Sequence, residues 1–292
     1  MEALRVTLTA HDLTLAYDKR VVAEGLDVVI PDRGFTAIVG PNACGKSTLL
    51  RALARMLKPK RGAVLLDGRE IARQPSKDVA RRLGLLAQSA TAPDGISVVD
   101  LVARGRHPHQ SFLRQWSRED EQAVQQAMQA TRVADLADRP VDELSGGQRQ
   151  RVWLAMVLAQ DTPLLLLDEP TTFLDLQHQI EVLDLCAQLH ASGRTLVAVL
   201  HDLNQACRYA THLIAMRDGR VVARGAPADV VDAELVEAVF GVRCRVIEDP
   251  ETQTPLIIPA APSRTPASRP RASASPATSS ASSTPAAPPR RA

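Results

Sequence analysis

The sequence GPNACGKST, residues 40–48, decides the fold of this chain. It matches the pattern G-x-x-x-x-G-K-[ST] of phosphate-binding loops. The apolar residues 35–39 before it predict a buried strand, and residues 46–57 predict a helix whose amino end faces the loop. Because strand, glycine-rich loop and helix follow one another in this order, nucleotide binding is favoured over an ordinary glycine-rich turn.

The residue types in this phosphate loop explain how it would hold a nucleotide. Small residues let successive backbone N–H groups approach the phosphate oxygens. Lys46 supplies a positive charge for the β- and γ-phosphates, and Ser47 supplies a hydroxyl for Mg²⁺. The predicted ATP-binding residues of the loop are Gly40, Pro41, Asn42, Ala43, Cys44, Gly45, Lys46, Ser47 and Thr48.

Composition disfavours several other classes of protein. Aromatic residues make up 3% of the chain, which leaves few surfaces on which bare nucleic acid bases could stack. No apolar run approaches the roughly 18 residues that span a bilayer. The first residues, MEALRVTLTAHD, lack the apolar segment of a secretory signal, and the four cysteines form no CxxC pair. We therefore expect a cytoplasmic protein with reduced thiols and no zinc site.

The net charge of +2 depends on the last part of the chain. After Glu251 there are five arginines and no acidic residue, and without those arginines 30 basic and 33 acidic residues give a net charge of −3. The remainder therefore carries no basic signal for nucleic acid. Residues 260–292 contain only Ala, Pro, Ser, Thr and Arg without apolar periodicity, which predicts a disordered tail.

Two acidic residues directly follow a continuous apolar run. Residues 164–167 are all leucine, which predicts a central parallel strand buried on both faces, and Asp168 and Glu169 come next. Sheets of this kind bind ligands at the carboxyl ends of their strands. We predict that Asp168 holds Mg²⁺ through water and that Glu169 polarises the attacking water. An acidic pair that only caps a helix is the alternative.

Three further polar residues follow predicted strands. Gln88 follows residues 83–87 and would reach Mg²⁺ or the attacking water, while His201 follows residues 195–200 and would reach the γ-phosphate. The alternatives are a solvated glutamine and a structural histidine. Tyr17, 29 residues before Lys46, is equally consistent with a core or edge position and with stacking on an adenine ring.

A second anion-binding signal lies at residues 145–148, Ser-Gly-Gly-Gln, which we call the SGGQ segment. It precedes a predicted helix over residues 149–159. A serine cap followed by two glycines at a helix amino end favours a second phosphate site. The sequence RGRHPH, residues 104–109, predicts a basic loop for which no nucleotide role is evident.

Taken in order, these motifs resemble the ATP-binding subunits of ABC transporters over about residues 4–250. The resemblance rests on Tyr17, the phosphate loop, Gln88, LSGGQRQR (144–151), LLLLDEP (164–170), Asp175 and His201. The SGGQ segment is the most specific of these, because other phosphate-loop families lack it. ARGRHPHQ (103–110), LDEPTTFLD (167–175) and LHDLNQACRYA (200–210) further resemble the ATPases of bacterial ferric-siderophore importers, especially the ferric enterobactin type.

This resemblance implies an α/β fold of the P-loop NTPase class. It has a RecA-like core with a mainly parallel sheet, an antiparallel β subdomain and an inserted helical subdomain at about residues 89–160. The ATP-binding domain would cover residues 1–259. The implied activity is Mg²⁺-dependent ATP hydrolysis coupled to transport.

The resemblance also explains two phosphate sites in one chain. Two copies would sandwich two ATP molecules head to tail, each between Lys46 of one copy and Ser145 and Gly147 of the other. Gly146, Gln148 and Asp175 belong to the same implied ATP-binding set, with Tyr17. The implied catalytic residues are Glu169, His201 and Gln88, and the implied Mg²⁺ ligands are Ser47, Gln88 and Asp168.

The implied partners are membrane permease subunits on separate chains and, indirectly, a periplasmic or lipoprotein substrate-binding protein, but no nucleic acid. The ATPase would lie at the cytoplasmic face of the membrane. We expect the region around residues 104–116, with Arg106 and His109, to dock on a permease loop.

One departure and several alternatives accompany this interpretation. Relatives usually carry Gly where this loop has Ala43, which would strain the backbone if the position needs a left-handed conformation. A haem or cobalamin importer is the nearest alternative. A soluble ABC ATPase acting on nucleic acid or the ribosome would usually add coiled coils or a second ATPase unit, and a phosphate-loop kinase would lack the SGGQ segment.

Overall fold

The structure is a computed structural model that describes residues 7–88, 91–111 and 116–261. The chain divides into one compact unit, Met1–Ala260, and a second unit, Ala261–Ala292. Of the tail predicted to be disordered, residues 262–292 lie outside the described residues.

Strands and helices alternate along much of the chain. The strands are β1 (Leu8–Tyr17), β2 (Arg20–Ile30), β3 (Phe35–Val39), β4 (Arg61–Leu66), β5 (Arg69–Glu70), β6 (Leu83–Leu86), β7 (Leu164–Asp168), β8 (Thr195–Val199), β9 (His212–Arg217), β10 (Arg220–Gly225), β11 (Cys244–Glu248) and β12 (Pro255–Pro259). The α-helices are α1 (Lys46–Leu53), α2 (Ser76–Ala80), α3 (Val98–Ala103), α4 (Arg118–Ala130), α5 (Gly146–Ala159), α6 (Leu176–Ala191), α7 (Leu203–Tyr209), α8 (Pro227–Val230) and α9 (Ala233–Phe240). Short 3-10 helices cover Ile71–Arg73, Arg104–His109, Ala134–Leu136 and Val141–Glu143.

A six-stranded sheet with the order β10-β9-β3-β8-β7-β6 forms the centre of the fold. Its five strands from β9 to β6 run parallel, and only β10 pairs antiparallel, with β9. Strands β3, β7 and β8 are buried along their whole length, as their continuous apolar sequences predict. The carboxyl ends of the five parallel strands therefore meet at one edge of the sheet.

Two hydrophobic cores lie on opposite faces of this sheet. Successive side chains of a strand point to opposite faces, so neighbouring leucines of β7 belong to different cores. Leu165 and Leu167 pack with the helices α3 to α6, whereas Leu164 and Leu166 pack with α1 and the antiparallel strands. Both cores therefore pack against the central sheet, one on each face.

The antiparallel sheet and the helical insertion complete the predicted fold class, which is confirmed. A four-stranded sheet has the order β2-β1-β4-β5 and packs on the α1 side of the central sheet. Helices α3, α4 and α5 lie between β6 and β7 in the sequence and contact one another. Every helix of the described residues is too short or too polar to cross a bilayer.

One predicted helix boundary differs from the structure, and one hairpin was not predicted. Helix α1 ends at Leu53 instead of residue 57, because Arg55 has a φ of 64° and takes the left-handed conformation that ends helices. The hairpin of β11 and β12 was not predicted, since β11 is short and mostly exposed and has no continuous apolar run. Both differences lie where local sequence signals are weak.

The segment Arg104–His109 is a 3-10 helix and not a loop, and Arg106 in it is buried. Its Nε lies 2.8 Å from Oδ1 of Asp120, and its Nη1 donates to the carbonyl oxygen of Ala159 at 2.8 Å. Arg106 thus ties α4 to the end of α5. The expectation that Arg106 contacts a permease is therefore wrong. His109 is also turned inward, with Nε2 at 2.8 Å from the carbonyl oxygen of Gln160.

The buried ion pair has a defined charge state. Burial alone would raise the pKa of Asp120, but hydrogen bonds from Arg106 and Ser117 outweigh it, and the pKa lies below its usual value. Because the folded pKa is lowered, the ionised carboxylate stabilises the fold above the pKa of an unfolded aspartate. This contribution is lost as the pH falls through the lowered pKa.

Arg106→Ala should destabilise the fold by about 3–5 kcal/mol at neutral pH, because it leaves the buried Asp120 carboxylate unpaired. The difference from wild type should shrink in acid, as the pH falls through the lowered pKa of Asp120 and the carboxylate takes up a proton in wild type too. Urea unfolding at neutral and at acidic pH measures it. Arg104→Ala, in the same 3-10 helix but exposed, is the control and should change the stability by less than about 0.5 kcal/mol. Equal effects of the two substitutions would contradict a structural role for the pair.

Candidate functional site

The phosphate loop connects β3 to α1 and needs glycine at two positions. Gly40 has a φ of 148°, and a Cβ there would lie 2.1 Å from the carbonyl oxygen of Met216. Gly45 precedes α1 with a φ of 104°, and within the described chain no side-chain hydrogen bond caps this helix. The N–H groups of the first helical turn are therefore available to an anion.

Lys46 is buried beneath this loop. Its Nζ donates to the carbonyl oxygens of Gly40 and Pro41, both at 2.9 Å. These contacts fold the lysine side chain back onto its own loop and place the ammonium group against two carbonyl oxygens of the loop. A positive charge in this position suits the β- and γ-phosphates of a nucleotide.

Ala43 takes the left-handed conformation, with a φ of 62°. The left-handed conformation on which the predicted strain depends is thus confirmed. The effect of this strain on nucleotide binding stays a prediction. A residue with a Cβ pays roughly 1–2 kcal/mol for this conformation relative to glycine.

Ser47 and Asp168, two of the predicted Mg²⁺ ligands, lie next to each other. Ser47 Oγ donates to Oδ1 of Asp168 at 2.8 Å. Oδ2 of Asp168 is buried and has no hydrogen-bond partner within residues 7–88, 91–111 and 116–261. Burial raises the pKa of Asp168, and the bond from Ser47 opposes this only in part. A buried carboxylate oxygen beside a hydroxyl is a donor set that fits Mg²⁺, whose charge would favour the ionised form.

Glu169 is held by three side chains at once. His201 Nε2 lies 2.8 Å from Oε1, Gln88 Nε2 donates to Oε2 at 2.9 Å, and Thr172 Oγ1 donates to Oε2 at 3.2 Å. Burial tends to raise the pKa of Glu169, but the hydrogen bond and charge of His201 outweigh it, and the pKa lies below its usual value. Both carboxylate oxygens are therefore oriented, and the group is ionised at neutral pH.

The parallel sheet explains why these groups meet. Gln88 follows β6, Glu169 follows β7, His201 follows β8, and the phosphate loop follows β3. Glu169 also has a φ of 56°, a strained conformation of the kind that clusters at functional sites. The sequence-predicted residues Gln88, Asp168, Glu169 and His201 are thus brought together.

A cleft of about 430 Å³ opens beside the phosphate loop, and we call it the ATP cleft. Its lining includes Tyr17, Lys46, Ser47 and Glu169, so the structure places the predicted stacking tyrosine at the same cleft as the loop. Arg51 Nη1 lies 3.3 Å from the hydroxyl oxygen of Tyr17, which is 42% exposed.

Several residues of the ATP cleft were not found by sequence reasoning. Arg20 and Val22 of β2 line it, together with the turn of Asp218 and Gly219 after β9. The turn of Asp218 and Gly219 follows a parallel strand in the way that Gln88 and His201 do, and this position is the signal that could have found it. Thr172, three residues after Glu169, was missed because its contact depends on the turn that follows β7.

The SGGQ segment and Asp175 form a second group apart from the ATP cleft. Ser145 caps α5, where its Oγ accepts from Gln148 N at 3.2 Å and Gln148 Oε1 accepts from Ser145 N at 3.1 Å. Asp175 caps α6 and accepts from His178 N at 2.9 Å, and hydrogen bonds from His178 lower its pKa. Ser145, Gly146 and Asp175 are exposed, and in the described part of the chain residues 145–148 do not line the cleft. One copy therefore does not join the two predicted phosphate sites.

Comparison with known proteins gives the family. The model of the family described as ABC transporter matches residues 23–172, which include the phosphate loop, the SGGQ segment and Glu169. This chain belongs to the ABC transporter family. It is one of the family's ATP-binding subunits, which are ATPases coupled to transport.

Two curated relatives of this ABC subunit show how far the similarity extends. The ferric enterobactin transport ATP-binding protein FepC of Escherichia coli K12 is 60% identical over 86% of this chain and 93% of its own length. The achromobactin transport ATP-binding protein CbrD of Dickeya dadantii is 53% identical over 86% of this chain and 94% of its own.

A solved structure supports the fold assignment. A bacterial Atm1-family ABC exporter with ATP bound is 28% identical and has a TM-score of 0.68. The match covers 79% of this chain and 40% of the exporter chain.

Ala43→Gly should relieve the strain in the phosphate loop of this ABC subunit. If the strain of about 1–2 kcal/mol opposes nucleotide binding, ATP should bind up to about tenfold more tightly, or turnover should rise several-fold, with the fold unchanged. Nucleotide titration and steady-state hydrolysis measure this. Ala43→Ser is the matched control, because it keeps a Cβ and should behave like wild type. Identical ATP affinity and turnover in Ala43→Gly and wild type would show that Ala43 has no cost.

Proposed function

We propose that this ABC subunit binds MgATP in the ATP cleft and uses its hydrolysis to energise uptake of a ferric siderophore through separate permease subunits. The observation that carries the proposal is the constellation around Glu169, whose carboxylate is ionised and oriented by three donors at the edge of a phosphate-binding cleft. This arrangement suits activation of a water molecule next to a γ-phosphate.

The roles of the cleft residues follow from their positions. The backbone of the phosphate loop and Lys46 would hold the β- and γ-phosphates, and Tyr17 would stack on the adenine. Ser47 and the unpartnered Oδ2 of Asp168 would hold Mg²⁺, and Gln88 would reach it with its amide oxygen while its Nε2 stays with Glu169. The metal ion would neutralise charge on the phosphates. His201 would contact the γ-phosphate and orient Glu169.

A second copy of the chain would complete each ATP site. The SGGQ segment has the anion-binding character of a helix start, yet in one copy it lies outside the ATP cleft. Exposed apolar side chains of Phe173 and Leu176 flank Asp175, which favours burial of this surface against a partner. A head-to-tail dimer would bring Ser145, Gly146, Gly147, Gln148 and Asp175 of one copy to the nucleotide held by Lys46 of the other.

The permease would dock on a groove next to the buried Arg106. This groove, of about 480 Å³, is lined by Asp100, Ala103, Arg104, His107, Gln110 and Trp116. Trp116 is 50% exposed, and an exposed tryptophan is a typical anchor of protein interfaces. We therefore propose the docking region again within residues 104–116, of which 112–115 lie outside the described residues, with Arg104, His107 and Trp116 in place of Arg106 and His109. The subunit would lie at the cytoplasmic face of the membrane, and a substrate-binding protein would act through the permease.

The relatives favour a siderophore over haem or cobalamin. FepC and CbrD are described as transport proteins for ferric enterobactin and achromobactin, and the identities of 60% and 53% extend over most of both chains. The ATPase does not touch the transported compound in this arrangement, so the choice of siderophore belongs to the permease.

Glu169→Gln should test the chemistry directly. It keeps the shape of the side chain but removes the base, so turnover should fall by about 10²–10⁴-fold while ATP binding is retained and an ATP-bound dimer accumulates. Lys46→Ala should abolish ATP binding, whereas His201→Ala should lower hydrolysis with binding largely kept. Nucleotide titration, phosphate release and size-exclusion chromatography measure the three effects. Glu234→Gln, an exposed acid in α9, is the charge-matched control. Near-normal turnover of Glu169→Gln would move the catalytic role to another residue.

Transport coupling and substrate class can be tested together. In cells with the cognate permease, Trp116→Ala combined with Arg104→Ala should reduce uptake of the iron-loaded siderophore several-fold, while the purified variant keeps its ATPase activity. Arg69→Ala, an exposed arginine of the antiparallel sheet, is the control and should leave uptake unchanged. Identification of the permease by co-purification, followed by uptake of haem and not of ferric siderophore, would refute the proposed substrate class.

A further inference from the structure

The carboxyl-terminal hairpin of β11 and β12 is fastened to α7 through one asparagine. Asn204 Oδ1 accepts from the backbone N–H of Ile257 at 2.7 Å, and Asn204 Nδ2 donates to the carbonyl oxygen of Ile257 at 3.2 Å. Asn204 lies in the first turn of α7, and Ile257 lies in the middle of β12. A side-chain amide thus pairs with both backbone groups of one strand residue, as a neighbouring strand would.

This contact is strong for its position. Ile257 is buried and packs in the core that also contains Leu200 and Ala206, and Asn204 is partly buried, so both hydrogen bonds are partly shielded from water. Hydrogen bonds in such surroundings are costly to remove, because the freed backbone groups stay partly buried. A second contact between the same elements is weaker. Arg208 Nη1 lies 4.0 Å from Oδ2 of Asp249, at the other end of α7 and with Arg208 exposed.

The first turn of α7 lies directly beside the catalytic constellation. His201 is followed by Asp202, the amino cap of α7, whose Oδ1 accepts from the backbone N–H groups of Asn204 and Gln205. On its other side, His201 follows Leu200, whose N–H donates to the carbonyl oxygen of Ile38 at 3.1 Å. The backbone at His201 is therefore fixed by β3 on one side and by the start of α7 on the other.

We propose that Asn204 is a positioning residue for His201, and that the carboxyl-terminal hairpin braces the start of α7 so that His201 stays in reach of Glu169. The inference rests on the role proposed above for His201. Removal of the brace lets the first turn of α7 shift and changes the 2.8 Å contact between His201 Nε2 and Glu169 Oε1. The ATP cleft keeps its lining, because neither Asn204 nor the hairpin belongs to it.

The first test compares two substitutions on α7 in the full chain. Asn204→Ala should lower kcat by about ten- to a hundredfold, since small misplacements of catalytic groups have effects of this size, while the Kd for ATP stays at the wild-type value. Arg208→Ala breaks the other contact with the same hairpin, far from His201, and should keep the wild-type kcat. The melting temperature should fall further in Asn204→Ala than in Arg208→Ala, because Asn204 makes the stronger contact, and kcat is compared at a temperature at which both variants are folded. Wild-type kcat in Asn204→Ala, or equal losses in the two variants, would overturn the inference.

The second test asks whether Asn204 acts through His201. In the His201→Ala background, Asn204→Ala should cause no further loss of the remaining turnover, because the group it positions is gone. Losses that multiply in the double variant would show that Asn204 acts independently. Asn204→Asp is a second variant that keeps the acceptor for Ile257 N–H and replaces the donor by an oxygen. It too should lower kcat at unchanged ATP affinity, and a wild-type kcat would count against the brace.

The same variants separate this inference from the proposed function. If His201→Ala alone retains wild-type turnover, the proposed role of His201 is wrong. If His201→Ala loses turnover while Asn204→Ala retains it, the role of His201 stands and the brace is wrong.

Discussion

The parallel pairing of β9, β3, β8, β7 and β6 is the constraint on which the rest of the structure depends. Parallel strands end at a common edge, so each strand delivers its next residues to the same place. The phosphate loop, Gln88, Glu169, His201 and the turn at Asp218 come from different parts of the chain, yet all of them follow strands of this sheet. Because these strands are buried on both faces, their register is fixed by two cores at once.

This constraint explains why much of the site could be predicted from the sequence. A continuous apolar run such as residues 164–167 predicts a buried parallel strand, and the polar residues after it then fall at the ligand-binding edge. Asp168, Glu169, Gln88 and His201 were found in this way, and the structure brings them together. Their chemical roles were inferred from residue type and resemblance, and they stay proposals.

What the sequence did not reveal depends on contacts between distant segments. The ion pair of Arg106 with Asp120 joins a 3-10 helix to α4, and nothing in RGRHPH distinguishes a buried arginine from an exposed one. Thr172 reaches Glu169 only through the turn after β7, and Asn204 meets Ile257 across 53 residues of chain. Such pairings have no periodicity of their own, so composition and spacing do not indicate them.

The packing of both cores against the central sheet limits which core substitutions this protein tolerates. Strand β7 contributes Leu165 and Leu167 to one core and Leu164 and Leu166 to the other. The same strand ends at Asp168 and is followed by Glu169. A substitution that enlarges or empties either core should displace this strand, since close-packed interiors transmit strain. Homologous sequences should therefore vary the leucines of β7 in compensating pairs across the sheet. Amino acid substitutions in either core should then be limited by the rate of the reaction at the end of β7 as well as by folding stability.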